Sequence, residues 1–384
     1  MKSDFRQAIA SSLGTTQEHV SLFWKGRVAL FALLKSFGIK PGDEVILPAF
    51  TCVVVPNAIL YCEGIPVYVD IDPHSLNATA NSIKNAITSK TKFILAQNTF
   101  GLSADLDPIL ELARQNQLIV IEDCTHGFGG SYKGRINGTI ADAAFFSTQW
   151  NKPFSTGIGG MAFTRDPQIA AKMRQYEEQA NKPGFLASTQ LQLLLFARAW
   201  MKSPAVYWPM IKLYRWLSKH NFVVGSSDGG ELNSIDMPEG FLRQMSKVQQ
   251  NRGVVELSKL QKYNFHRIKL AEAYTLHLAS LGIKIPSLPE HTYLKFPLLV
   301  KNREMFMEMA EKQRIELGEW FISPIHPVVQ NFELWKYPYG NFPNAEYAAA
   351  HVVNLPTHFD VDDAYLARIL DFLSANREQL LSFE

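Results

Sequence analysis

Phe145-Phe146-Ser147-Thr148-Gln149-Trp150-Asn151-Lys152, closely followed by Ser155-Thr156-Gly157-Ile158-Gly159-Gly160, decides the reading of this chain. An apolar run of strand type ends in a hydroxyl, a lysine follows within a few residues, and a glycine-rich turn closes the unit. That order presents an amine nucleophile beside a phosphate-bearing cofactor. Upstream, Leu118-Ile119-Val120-Ile121-Glu122-Asp123 is a second buried-strand pattern ending in a carboxylate. A lysine to form a Schiff base and an aspartate to hold a pyridine nitrogen protonated are two groups that pyridoxal phosphate chemistry requires.

Outward from this unit, residues 26–164 alternate between helix-period and strand-type segments. Helices are expected over residues 28–37, 80–87 and 105–115. Another is expected within 51–61, its first turn near Pro56 because a proline fits only the start of a helix. Strands are expected over residues 44–48, 66–70, 93–96 and 118–121. Such alternation predicts an α/β fold, a mainly parallel sheet covered on both faces by helices. Ligands then bind beyond the carboxyl ends of the strands. After Gly160 the alternation stops. Residues 186–217 are rich in Leu, Phe, Trp and Tyr, interrupted by Arg198, Lys202, Lys212 and Arg215. They lack the ~18 uninterrupted apolar residues of a membrane span. Core helices or a subunit interface, an active-site lid and a membrane-surface contact are the readings of that stretch. Residues 226–231 read as a loop, residues 241–278 as long helices, and residues 294–300 and 303–314 as a strand and a helix. Two units follow: a large one over residues 1–250, carrying the 186–217 insertion, and a smaller C-terminal α+β unit over residues 251–384.

The 384 residues are 47% hydrophobic and 19% charged, a balance that excludes disorder. A net charge of +2 gives no basic footprint for nucleic acid. The three cysteines, Cys52, Cys62 and Cys124, sit in apolar context without metal-ligand spacing, so no metal is expected and a reducing cytoplasm is. The segment Met1-Lys2-Ser3-Asp4-Phe5-Arg6 carries charges of both signs, and no secretory signal is expected. Asp70 and Asp72, ahead of Pro73, read as turn and cap residues.

An ordered set of motifs resembles the DegT/DnrJ family of sugar aminotransferases, pyridoxal phosphate enzymes of fold type I. The set comprises Gly26-Arg27-Val28-Ala29-Leu30, Pro41-Gly42-Asp43-Glu44-Val45-Ile46, Pro48-Ala49-Phe50-Thr51 and Pro66-Val67-Tyr68-Val69-Asp70-Ile71-Asp72. It continues through Glu122-Asp123-Cys124-Thr125-His126, the lysine unit, Pro324-Ile325-His326 and Leu355-Pro356-Thr357-His358. The resemblance implies that Lys152 forms the Schiff base with pyridoxal 5′-phosphate, that Asp123 pairs with the pyridine nitrogen and that His126 lies near the phenolic oxygen. It also implies that the sheet is of the seven-stranded type, and that Ser147 and the backbone amides around Gly26 and Arg27 hold the phosphate. The start of a helix suits an anion, and the Arg27 side chain would add a second contact.

Glutamate or glutamine is the expected amino donor and a nucleotide-linked keto sugar the expected acceptor, with active sites shared across a homodimer. Three positions depart from the family pattern. Cys52 stands where an aromatic residue often stacks on the ring, and Gln149 stands where a histidine often follows the serine. Leu242 replaces a phosphate-binding asparagine offered by the partner subunit, with Arg243 beside it as a substitute. Cys52 and Gln149 are nevertheless expected against the cofactor. These departures keep two alternatives open: a sugar dehydratase, against which Lys152 argues because such relatives carry histidine there, and a non-catalytic or membrane-associated binding module. His326 and His358 either border the substrate cleft or are structural.

Overall fold

Seven apolar segments become the strands of one sheet: β1 Val20–Phe23, β2 Glu44–Pro48, β3 Ile65–Val69, β4 Thr91–Gln97, β5 Ile119–Asp123, β6 Ala143–Ser147 and β7 Gly160–Thr164. A computed structural model describes residues 4–200 and 229–383, and in it these strands lie in the order β1-β7-β6-β5-β4-β2-β3. Strands β3, β2, β4, β5 and β6 pair in parallel, whereas β7 runs against both neighbours, β6 and β1. The four strands expected at residues 44–48, 66–70, 93–96 and 118–121 are β2 to β5, with ends shifted by at most two residues.

Both faces of the sheet are covered, which is why the strand sequences are almost continuously apolar. On one face Val45, Leu47, Phe93, Leu95 and Ile121 share a core with α2 Gly26–Ser36, α3 Val54–Leu60 and α6 Pro167–Gln179. On the other, Ile46, Ile94 and Val120 pack with α4 Ala80–Ala86 and α5 Leu106–Asn116. Helix α1, Phe5–Ser12, joins a further cluster with Phe146, Met161 and Phe163. Helix α2 is apolar all round except Arg27, Lys35 and Ser36, and it is buried almost along its whole length.

Gly160 explains how α2 can start against the sheet: a Cβ there would lie 2.2 Å from the carbonyl oxygen of Lys25, the residue before α2. That atom is backbone and has nowhere to go. Gly160→Ala is therefore expected to cost about 3 kcal/mol of stability, the upper range for overpacking a close contact. Denaturant midpoints check this, and an unchanged midpoint would show that the α2 start is not clamped there.

The rest of the chain forms a second, three-stranded antiparallel sheet. Strand β8, Phe296–Val300, lies between β9, Val352–Leu355, and β10, Leu380–Leu381. It leads from α7 Phe185–Trp200 through α8 Lys247–Leu257 and α9 Leu260–Ser280, and carries α10 Arg303–Lys312, α11 Pro343–His351 and α12 Asp363–Ala375. Helix α8 belongs with α1, because a Cβ on Gly253 would strike Phe5 at 2.4 Å. Leu270, Tyr274 and Leu278 of α9 pack on the small sheet. The division expected at residue 250 falls within α8.

Contacts at Asp70 and at Thr51–Cys52 are among those that fasten this part to the large sheet. Asp70, just past β3, accepts from the amides of Asn344 and Ala345 at the start of α11. Asp72 accepts from His74 and Ser75 in its own turn. Both aspartates thus do the capping and turn work read from Pro73. Thr51–Cys52 pairs in parallel with Ile325–His326, and this short pairing carries residues 320–327 over the strand ends.

Helix α7 buries Leu191 but exposes Phe185, Leu186, Leu193, Leu194 and Phe196. Residues 201–217 of the hydrophobic stretch lie outside the described residues. Among the described residues no helix is long and apolar enough to cross a membrane.

Candidate active site

The carboxyl ends of the parallel strands converge on one cavity. Gln97 ends β4, Asp123 ends β5, Ser147 ends β6, and Thr51–Cys52 follows β2. These residues line the cavity with Gly26 and Arg27 from the start of α2, His126, Gln149 and Lys152 from the loops, and Trp320, Phe321 and His326 from the C-terminal part. Every site residue expected from sequence is therefore at this cavity. Leu242 and Arg243 are not among its lining. The Arg243 guanidinium donates to the Gly240 carbonyl at 2.8 Å within its own turn. His326 joins the wall; His358 does not, and its ring lies 3.7 Å from Glu316.

Lys152 lies between β6 and β7, is 9% exposed, and places Nζ 3.5 Å from Thr125 Oγ1 and 4.8 Å from the Trp320 ring centre. Burial pushes its pKa from 10.5 to about 8, although Asp123 and then Cys52 pull the other way. Asp123 accepts the Thr125 amide at 3.0 Å, yet burial raises its pKa despite that bond and the charge of Lys152. The two groups attract each other, and for both the loss of water outweighs the attraction. A protonated pyridine nitrogen beside Asp123 would supply the partner that favours its ionised form.

The lysine has a thermodynamic signature. Between pH 8 and 10.5 the unfolded chain binds a proton on Lys152 that the folded protein has lost, so stability rises with pH across that window. Relative to Lys152→Met, the wild type is expected to gain roughly 3 kcal/mol between those limits. Parallel denaturation profiles for the two proteins would rule the depressed pKa out.

His126 accepts the Phe100 amide on Nδ1 at 3.2 Å, which leaves the proton of the neutral ring on Nε2. It stacks on Phe100 and Phe321, and Trp320 meets it edge-on. Burial, and then the charge of Lys152, holds its pKa well below the usual range, so the ring is a neutral donor. His326 is kept neutral in the same way, its pKa lowered to about 3 chiefly by burial.

At the other end of the cavity Gly26 packs so closely on β6 that its Cβ would meet Ser147 Cβ at 3.0 Å. No side chain caps α2, and its first residues, Gly26 and Arg27, line the cavity together with Ser147 and Gln149. The Gln149 amide donates to Ser147 Oγ at 3.4 Å. The Arg27 guanidinium, at the cavity, donates to the buried Glu231. Cys52 lines the cavity without an aromatic face to offer, and its thiol pKa is raised by burial. Trp320 and Phe321 supply the aromatic surface instead.

Sequence reasoning did not find Trp320, Phe321, Gln97 or Glu231. Gln97 holds Thr51 in place by accepting from its hydroxyl at 2.6 Å while donating to the Phe50 carbonyl at 2.9 Å. Its position at a strand end was the available signal. Trp320-Phe321 stands four residues ahead of Ile325-His326, a motif already marked, and the pair of adjacent aromatics was the signal there.

These observations test the fit of a phosphate-bearing pyridine aldehyde. A buried amine of lowered pKa, a buried carboxylate and an uncapped helix start closed by a glycine and a serine suit its carbonyl, ring nitrogen and phosphate respectively. A mainly parallel seven-stranded sheet carrying this constellation defines an aminotransferase-type enzyme that uses pyridoxal phosphate. The chain belongs to the DegT/DnrJ/EryC1/StrS aminotransferase family, whose model matches residues 2–193 and 210–374. It is 41% identical over 180 residues to GDP-perosamine synthase of Caulobacter vibrioides, a match that spans 47% of this chain and 48% of that protein. It is 27% identical to dTDP-4-dehydro-2,3,6-trideoxy-D-glucose 4-aminotransferase of Saccharopolyspora spinosa, over 96% of this chain and 86% of that one. Among solved structures, NtdA of Bacillus subtilis with bound cofactor PMP shares the fold with a TM-score of 0.75. Identity there is 24%, over 98% of this chain and 76% of that one.

Proposed function

We propose that this chain moves an amino group from glutamate or glutamine to a keto group on a nucleotide-linked sugar. The observation that carries the reading is Lys152, buried with a pKa lowered to about 8 and gathered with Asp123 and His126 at one cavity. The names of the Caulobacter and Saccharopolyspora relatives support the acceptor class.

Bound pyridoxal phosphate supplies the electron sink and carries the amino group between the two substrates. Everything else is the work of the chain. Lys152 would hold the cofactor through its carbonyl carbon, and its neutral amine would move a proton from the donor α-carbon to that carbon. Asp123 holds the ring nitrogen protonated, and His126 offers Nε2–H beside the phenolic oxygen. The amides of Gly26 and Arg27, with Ser147 and Gln149, hold the phosphate. Cys52 would border the ring from the cavity wall. Trp320 and Phe321 keep water from the amine.

A homodimer with shared active sites and a cytoplasmic location complete the proposal. The free thiols of Cys52, Cys62 and Cys124 support the second, and light scattering on the purified protein tests the first. The test of function is the visible spectrum with pyridoxal phosphate, before and after glutamate, followed by borohydride reduction and peptide mapping. A band that glutamate removes, with the reduced adduct on Lys152, is the expected result. GDP-, UDP- and dTDP-linked keto sugars then identify the acceptor by restoring the band. Absence of any band would overturn the proposal in favour of a non-catalytic binding module.

A further inference from the structure

Glu231 lies in the short turn Gly229–Leu232, which the sequence presents only as a loop. Its side chain is 1% exposed, ion-paired with the Arg27 guanidinium and 3.7 Å from Lys25 Nζ. The turn itself is pinned: Asn57 Nδ2 donates to the Glu231 carbonyl at 2.9 Å, and Trp335 Nε1 donates to Asn57 Oδ1 at 2.6 Å. Lys25 and Arg27 line the cavity on either side of Gly26, whereas Glu231 is not among its lining. A buried carboxylate paired with two cations offsets their field at low dielectric, so less of it reaches an anion in the cavity. The same carboxylate ties the Arg27 guanidinium into an ion pair.

From this geometry we infer that Glu231 is a positioning residue that holds Arg27 and Lys25 back and so sets how tightly the cavity grips a phosphate. The inference rests on the pyridoxal phosphate reading of the site. It predicts that the grip is weaker than the cations alone would give.

The test is equilibrium titration of the purified protein with pyridoxal 5′-phosphate and, separately, with pyridoxal, which lacks the phosphate. Glu231→Gln keeps an oxygen for Arg27 but removes the charge. It is expected to bind pyridoxal phosphate about tenfold tighter than wild type, and pyridoxal with affinity unchanged within about twofold. Equal shifts for both ligands, or no shift, would overturn the inference. Should Glu231→Gln fail to fold, Arg27→Met and the double variant Arg27→Met/Glu231→Gln give the same comparison. The double variant is expected to bind the phosphate form about tenfold tighter than the single one, and equality would overturn the inference. A wild type that forms no visible band with pyridoxal phosphate removes the proposed function and this inference together. A normal wild-type band with indifferent variants removes this inference alone.

Discussion

Lys152→Ala is expected to abolish multiple turnover between amino donor and keto acceptor, by at least about 10⁴-fold, while the protein stays folded. The size of the loss follows from the two tasks of one amine, covalent attachment and proton movement, each worth about 10²–10⁴ or more. Among the described residues the only other lysine lining the cavity, Lys25, lies at the start of α2 within ion-pair distance of Glu231. Folding survives because the side chain removed is one whose charge the interior disfavours: burial already pushes its pKa to about 8. The measurement is steady-state transamination alongside thermal unfolding and borohydride trapping. Retained turnover, or trapping on another lysine, would sink the assignment.

Asp123→Asn separates binding from chemistry. The amide keeps an oxygen for the Thr125 N–H, now 3.0 Å from the carboxylate, but carries no charge for the ring nitrogen. Expected is a fall in kcat of about 10³-fold with cofactor affinity within about tenfold of wild type, because the lost interaction matters mainly when charge develops. The variant has a second readout. Asp123 raises the pKa of Lys152, so its removal moves the ascending limb of the pH–rate profile below the wild-type position near 8. A kcat within about tenfold of wild type, or an unmoved limb, would remove Asp123 from the role.

Much of this was legible because the signals were local. The strands β2 to β5 announce themselves as apolar runs bounded by turns, and Lys152, Asp123 and Ser147 sit at positions that strand ends define. Arg27 was legible as a member of the site but not as the partner of Glu231, since nothing in Gly-Gly-Glu points to a helix two hundred residues earlier. Trp320 and Phe321 stayed hidden for the same reason. Their placement depends on the Thr51–Cys52 pairing with Ile325–His326, and a two-residue pairing leaves no periodic trace. The helix reading of residues 51–61 likewise absorbed Thr51–Cys52, whose extended form is imposed by a distant partner.

That two-residue pairing also fixes when the site comes into being. During synthesis the large sheet has all its strands once β7 has emerged, yet one wall of the cavity has still to be made. Trp320, Phe321 and His326 arrive more than 150 residues after Gly160. A contact of such long sequence separation forms late, after the local units have folded. The nascent chain therefore holds an exposed amine and no closed chamber. A chain truncated before Pro324 would lack the partner of Thr51–Cys52 and the His326 part of the cavity wall.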